Sequence, residues 1–279
     1  MDKILLWLFF AKIKMASCIP EVNKSGFSKS KNPYTISKIA ILAPEINENS
    51  GIIKVYGKNT FWTINDSGGK NELYEIDSTG KLISTLKIPN SQNIDWEDLA
   101  QDDKGNVYIG DFGNNLNSRK DLAIYKINPK QPDSTEKITF NYADQTAFPP
   151  QKEEMNFDCE AFFWANDSLY LFSKNRGTKF TKMYTIPSKA GNYVAKSKVN
   201  IFLKAYITSA DIRPDGKEFA LLSYGELFLF GIDEGKIDFS RPLYCIKAPL
   251  KQSEAISYIA NNELLITNEQ REVFKVTLK

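Results

Sequence analysis

From Tyr34 to Lys279 the chain repeats one four-part pattern, and this repetition constrains its fold more than any other feature. Each unit opens with an acid and a short apolar run, turns, and returns in a second run ending in polar residues. The clearest copy is "IDWEDLAQDDKGNVYIGDFGNN", residues 94–115. Trp96-Glu97-Asp98 begins its first run, Asp103-Lys104-Gly105-Asn106 makes the turn, and Asp111, Asn114 and Asn115 close it. "CEAFFWANDSLYLFSKNR" opens at Glu160 and ends in the cluster from Ser173 through Lys174 to Arg176. "ADIRPDGKEFALLSYG" opens at Asp211 and ends at Ser223; "SEAISYIANNELLITNEQ" opens at Glu254 and ends at Asn268-Glu269. "ENSGIIKVYGKNTFWTINDSGG" opens at Glu48 and ends at Asn65-Asp66. A third run follows each pair: "LYEI", "AIYKI", "KMYTI", "LFLF" and "VFKV". Four units add a more polar fourth run, "KLISTLKI", "KITFNY", "KVNIFLKA" or "IDFSRPLY". The fifth unit ends at Lys279 without one, and "YTISKIAIL" (residues 34–42) stands free at the other end to supply it.

Short runs of β-branched and aromatic residues between turn signals make an all-β protein. The opening acids at 48, 97, 160, 211 and 254 are separated by 49, 63, 51 and 43 residues. Four-strand units at such a period read as propeller blades, typically about 40 to 50 residues each. The expected fold is therefore a single β-propeller of about five four-stranded blades, with the last blade closed by the N-terminal strand, which removes two open edges. A sixth blade would have to fit inside the 63-residue spacing, beside the loop "QTAFPPQKEEMN". A β-sandwich, the alternative, does not explain the ordered recurrence of four strand types. In a propeller the first strand of each blade lines the central channel. Glu48, Glu97, Glu160, Asp211 and Glu254 are thus expected to converge as a ring, against the reading that each acid caps a solvated turn. The loops after the second strands, with Asp66, Asp111, Asn115, Lys174, Arg176 and Asn268, open on one face of the ring or the other. The spacing does not choose between them.

Composition narrows the chemistry. Histidine is absent, which excludes His-based triads and His-ligated zinc, iron or copper. Basic and acidic residues number 36 and 34, a net charge of +2. Such a balance provides no field to draw the chain onto nucleic acid or an anionic membrane. A ring of carboxylates raises its own pKa values unless a cation compensates them. A hard cation with oxygen ligands, calcium before zinc, fits that donor set. Arg119 and Arg176 are the competing neutralisers, and with Lys174 they are also the cations that would hold a phosphate.

Cysteines stand at 18, 159 and 245, at spacings of no zinc or redox motif. For Cys159 and Cys245, buried thiols and a mutual disulfide are the alternatives. The first residues read as an export signal: Asp2-Lys3, the apolar run "ILLWLFFA", then "MASC". The run is too short to span a bilayer as a helix. Residues 1–17 are accordingly expected to be a lipoprotein-type signal, with Cys18 lipidated as the first residue of the mature chain. Residues 18–33 are expected to be a flexible tether and 34–279 the propeller. The protein would then sit in the cell envelope as a monomer, touching membrane only through its anchor.

"ENSGI", "WTINDSGG", "LYEID", "DWEDLA" and "IGDFGNN" followed by Arg119 resemble the SdiA-regulated and phytase-like β-propeller proteins of bacteria. The similarity runs from about Glu48 to Lys279. It implies a single exported propeller and, as in the related phytases, calcium ions held by acidic residues. Two features depart from the pattern: Asp211 stands where Glu is usual, and "GDFGNN" becomes "LSYGE" in the fourth unit. The function expected is a module that binds a small ligand or protein, with an acidic, calcium-holding site at the channel mouth. A calcium-dependent phosphoesterase is the alternative.

Overall fold

The computed structural model describes residue 18, residues 25–29, 34–249 and 251–279. The expected export signal (1–17) and much of the expected tether lie outside these residues. Among the described residues there is no α-helix, only strands and one 3₁₀ turn at Lys152–Glu154.

The strands fall into antiparallel meanders in the order the repeats predict. Strands β3 (Asn49–Lys54), β4 (Phe61–Asn65), β5 (Glu72–Ile76) and β6 (Leu82–Lys87) form one sheet. The next meander is β7 (Trp96–Gln101), β8 (Val107–Asp111), β9 (Ala123–Ile127) and β10 (Thr135–Tyr142). After it come β11 (Cys159–Ala165), β12 (Ser168–Ser173), β13 (Phe180–Pro187) and β14 (Gly191–Phe202). These two meanders join into one eight-stranded sheet, because β10 and β14 pair in parallel from Ile138–Gly191 to Tyr142–Ala195. This second pairing explains why β14 begins seven residues before the expected "KVNIFLKA": "GNYVAKS" has its own partner strand.

A further meander comprises β15 (Ile207–Ile212), β16 (Glu218–Ser223), β17 (Glu226–Gly231) and β18 (Pro242–Lys247). Its fourth strand starts later than expected. Ile237 and Phe239 are apolar but enter the core from a loop, beside Phe219 and Phe230, and not from a strand. The last sheet holds β19 (Ser253–Ala260), β20 (Glu263–Asn268), β21 (Glu272–Leu278) and, at its edge, β2 (Tyr34–Ile41). β2 pairs antiparallel with β21 from Tyr34–Leu278 to Ile41–Glu272, so the N-terminal strand completes the last sheet as the repeat requires.

Alternation along the strands shows how the sheets stack. In β16, Phe219 and Leu221 face Phe163 and Phe172 of the preceding sheet, whereas Ala220 and Leu222 face Ile256 and Leu264 of the following one. Ile64 and Trp62 pack similarly with Leu99 and Ile109; Tyr108 and Phe112 with Phe162 and Leu171; Ile52 and Phe61 with Ala255 and Leu265. Burial on both faces is why these strands read as continuous apolar runs. Each Phe or Leu so buried contributes about 1.5–3 kcal/mol. The first strands β3, β7, β11, β15 and β19 contact one another in that cyclic order, with β19 returning to β3. A closed ring of inner strands with sheets stacked around it is consistent with a β-propeller.

The polar segment expected to be a tether is partly docked. β1 (Ser28–Lys29) pairs in parallel with β18, and Phe27, 4% exposed, packs against Phe228 and Phe230. One apolar residue in a polar stretch is enough to seat it. Cys18 forms a disulfide with Cys245, and Cys159 is a buried free thiol. A thioether lipid on Cys18 would need the sulfur this disulfide uses, so a given molecule carries one or the other.

Candidate functional site

All five inner strands carry a β-bulge at the same place. The pairing with the second strand skips one residue between Asn49 and Gly51, Trp96 and Asp98, Cys159 and Ala161, Ile207 and Ser209, and Ser253 and Ala255. The extra residues are Ser50, Glu97, Glu160, Thr208 and Glu254. A bulge turns a side chain out of the ladder, and all but Thr208 line one cavity of about 550 Å³. Ser50 and Thr208 donate to neighbouring inner-strand carbonyls, at Trp96 (2.9 Å) and Ser253 (2.8 Å), which leaves the three glutamates as the ionisable members.

Two further tiers stand on this ring. Two residues before each bulge lie Glu48, Asp95, Asp158, Tyr206 and Gln252. Directly after each second strand lie Asp66, Phe112, Lys174, Tyr224 and Glu269, because an antiparallel second strand returns to the mouth where the first began. All of these except Asp95, Asp158 and Phe112 line the same cavity, as does Asn115.

The sequence therefore placed most, but not all, of the site. Glu97, Glu160 and Glu254 share the bulge position. Glu48 lines the mouth from the tier above, in register with Asp95. Asp211 is a correction: it lies three residues beyond its strand's bulge and lines a separate cavity of about 840 Å³, formed by the far ends of the inner strands. Its carboxylate accepts from the N–H groups of Tyr258 (2.7 Å) and Ile212 (2.8 Å). Asp111 and Arg119 stand behind the cavity. Asp111 accepts from the Asp95 N–H (3.0 Å) and from Arg119 (3.1 Å), and Arg119 also reaches the Gly113 carbonyl and Asp121. Arg119 is therefore engaged away from the glutamates. Asn268 is buried at the end of β20, bonded to the backbone and carboxylate of Glu272. Asp95, Asp158, Tyr206, Tyr224 and Glu269 were missed. The pair "DWE" and "DCE" held the signal for the first two.

Lys174 and Arg176 hold one side of the mouth. Lys174, 5% exposed, is ion-paired with Glu160 and donates to the Tyr224 hydroxyl (3.3 Å), which donates to Glu254 (3.0 Å). Burial alone would lower the Lys174 pKa, but Glu160, Tyr224, Glu254 and Asp158 together outweigh it and hold it well above the usual range. Arg176 is bonded to Asp158 (2.9 Å) and Asn115.

On the opposite side no cation among the described residues is ion-paired with the carboxylates; Arg119, held by Asp111, only partly offsets the rise in the Asp95 pKa. Asp66, Asp95 and Glu97 each place a carboxylate oxygen within 4.8 Å of the others. Glu97 is only 8% exposed, and its side chain makes no hydrogen bond or ion pair among the described residues. Burial first, then Glu160 and Asp66, push its pKa well above the carboxylate range. Burial likewise raises Asp95 to about 6 and Glu254 to about 7. Gly113 backs the triad: a Cβ there would come within 2.1 Å of Glu97 Oε1 and 2.4 Å of Asp95 Oδ2. Oxygens 4.8 Å apart or less suit a cation at 2.3–2.6 Å from each, the range of calcium. The residues thus fit a hard divalent ion.

No protein-family model and no curated protein matches the sequence. Among solved structures the chain is similar to a catalytically inactive variant of virginiamycin B lyase from Staphylococcus aureus with quinupristin. The identity is 13% and the TM-score 0.42, over 83% of this chain and 66% of that one. The chain thus spans just under two thirds of the length of that structure.

Proposed function

We propose that the protein is an exported five-bladed β-propeller that holds a divalent cation, calcium first, between Asp66, Asp95 and Glu97. The cation-bearing mouth receives a small ligand or a protein partner. Glu97 carries this reading: a buried carboxylate with no partner, facing two more carboxylates, lacks the counter-charge that burial normally demands. Five meanders with a core between each neighbouring pair support the blade count. The resemblance of the motifs to SdiA-regulated and phytase-like propellers supports a calcium-dependent mouth. The Cys18–Cys245 disulfide supports export, since disulfides persist in oxidising compartments.

The test is thermal unfolding with chelator and with millimolar calcium. Binding to the folded state alone stabilises by about 4 kcal/mol at a thousandfold excess over Kd. That raises Tm by about 8 °C or more for a chain of this length. Glu97→Gln removes the rise. A Tm indifferent to calcium refutes the reading.

A phosphoesterase is the second reading, favoured by Arg176, whose side chain is 32% exposed at the rim. Its guanidinium would bind an anionic group, and the cation would polarise it. Calcium-dependent hydrolysis of phytate or an aryl phosphate, reduced by Arg176→Ala, would establish it. The absence of hydrolysis with calcium bound leaves the binding module.

A further inference from the structure

Glu226 is a second buried carboxylate without adequate compensation, on the outside of the ring. It opens β17, is 6% exposed, and the one hydrogen bond to its carboxylate among the described residues is donated by the backbone nitrogen of Cys18. Other buried acids are better served. Asp98 accepts four hydrogen bonds, Glu218 meets Tyr258 and Arg213, and Glu160 meets Lys174. One neutral amide does not offset the burial of an ionised carboxylate.

The nitrogen it faces is fixed in place. Cys18 is bonded through sulfur to Cys245, with Cα atoms 5.8 Å apart. The chain after it is anchored too, by Ser25 Oγ donating to the Phe202 carbonyl (2.6 Å), by buried Phe27, and by β1 on β18. In the sequence, an apolar run and the small residues Ala16-Ser17 precede this cysteine.

We propose that the chain is cleaved between Ser17 and Cys18, and that the α-ammonium group so released is bound by the Glu226 carboxylate while the Cys18 sulfur stays in the disulfide. A processing peptidase of the export route adds water across that bond, leaving the carboxylate on Ser17 and the amine on Cys18. An α-amine with an ordinary pKa of about 7.7–8.0 is largely protonated at neutral pH. A carboxylate beside it favours that form further. Glu226 then gains a full opposite charge where it now has an amide dipole, and burial, which pushes it up to about 7, no longer keeps it protonated. Capture of a chain's terminal amine is a known recognition mode.

The cleavage rests on the export reading, but the amine contact can be tested separately. The protein, expressed from its full sequence in a bacterium, is recovered from the cell envelope and mapped by mass spectrometry without reduction. The expected species begins at Cys18 with an unmodified amine, disulfide-linked to the peptide containing Cys245. A different N-terminus, a thioether lipid or a free thiol at Cys18 overturns the proposal. In parallel, oxidised protein beginning at Cys18, which contains every described residue, is compared with protein carrying Ala-Ser ahead of it. Glu226→Gln should lower Tm by about 5 °C or more in the first and by less than half that in the second. Equal shifts overturn the contact, whatever the compartment. If Glu226→Gln does not fold, acylation of the α-amine at pH 7 decides: at least tenfold slower in the native than the unfolded protein supports the contact, and equal rates overturn it.

Discussion

Asp98 lies one residue beyond the Glu97 bulge and is fully buried. Its Oδ1 accepts from the Leu99 N–H (2.9 Å) and the Ser209 hydroxyl (3.1 Å), and its Oδ2 from the N–H groups of Phe162 (3.1 Å) and Ala210 (3.2 Å). It thereby ties β7 to β11 and to β15, two strands on in the ring. The Ser209 oxygen in turn accepts from the Ile256 N–H of β19 (3.1 Å). Asp98→Asn preserves the shape but replaces one acceptor with a donor. Its best orientation keeps oxygen toward Phe162 and Ala210 and turns the NH₂ toward Ser209, whose hydroxyl can accept. The Leu99 N–H is then unmet, and the two retained bonds lose their charge. An unmet buried donor costs about 1–3 kcal/mol and each weakened charged bond about 0.5–1 kcal/mol, so the loss is about 2–5 kcal/mol. Thermal melts should show Tm lower by about 4–10 °C, with an unchanged urea m-value. A variant melting within 1 °C of the wild type would refute the role of Asp98 in holding the inner strands together.

Gly113→Ala should weaken calcium binding at least tenfold and change the calcium-free melt much less, since the atoms nearest its Cβ are the ends of the Glu97 and Asp95 side chains; titration calorimetry reads the first and a thermal melt the second. The calcium-free protein should lose stability as pH rises from about 4 to 7. Asp95 and Glu254, at about 6 and 7, bind protons more tightly folded than unfolded, so their contribution is full below the unfolded value near 4 and lost on passing the folded one. Saturating calcium should flatten that slope, and a calcium-free Tm that rises over this range contradicts it. Deleting residues 34–41 should expose the β21 edge and give aggregation, seen by light scattering; a monomer with wild-type Tm would mean that β2 does not close the ring.

The repeat made the strands legible because each is short, apolar and bounded by turns. "AIYKI" and "KMYTI" fall within β9 and β13, and "YTISKIAI" is β2. What the repeat concealed was register. A bulge inserts a residue without changing composition, so Glu48 looked equivalent to Glu97 although Ser50 occupies that place. In the fourth unit Thr208 holds the bulge, and the nearest acid, Asp211, belongs to the other end of the strand. The Asp-x-Glu pair at 95–97 and 158–160 would have aligned two units correctly. Glu97 was legible as an acid but not as an unpartnered one, because the ion pairs of Lys174 and Arg176 among the described residues are with Glu160 and Asp158. The disulfide joins residues 227 apart in sequence, so no local spacing could select Cys18 over Cys159 as the partner of Cys245.

The most direct measurement is anomalous X-ray diffraction from crystals grown with calcium, or with a lanthanide in its place. The account predicts one strong anomalous peak about 2.3–2.6 Å from carboxylate oxygens of Asp66, Asp95 and Glu97, and its loss in Glu97→Gln crystals. A map with no peak there, or with the ion held by Glu160 and Glu254 on the lysine side, would contradict it.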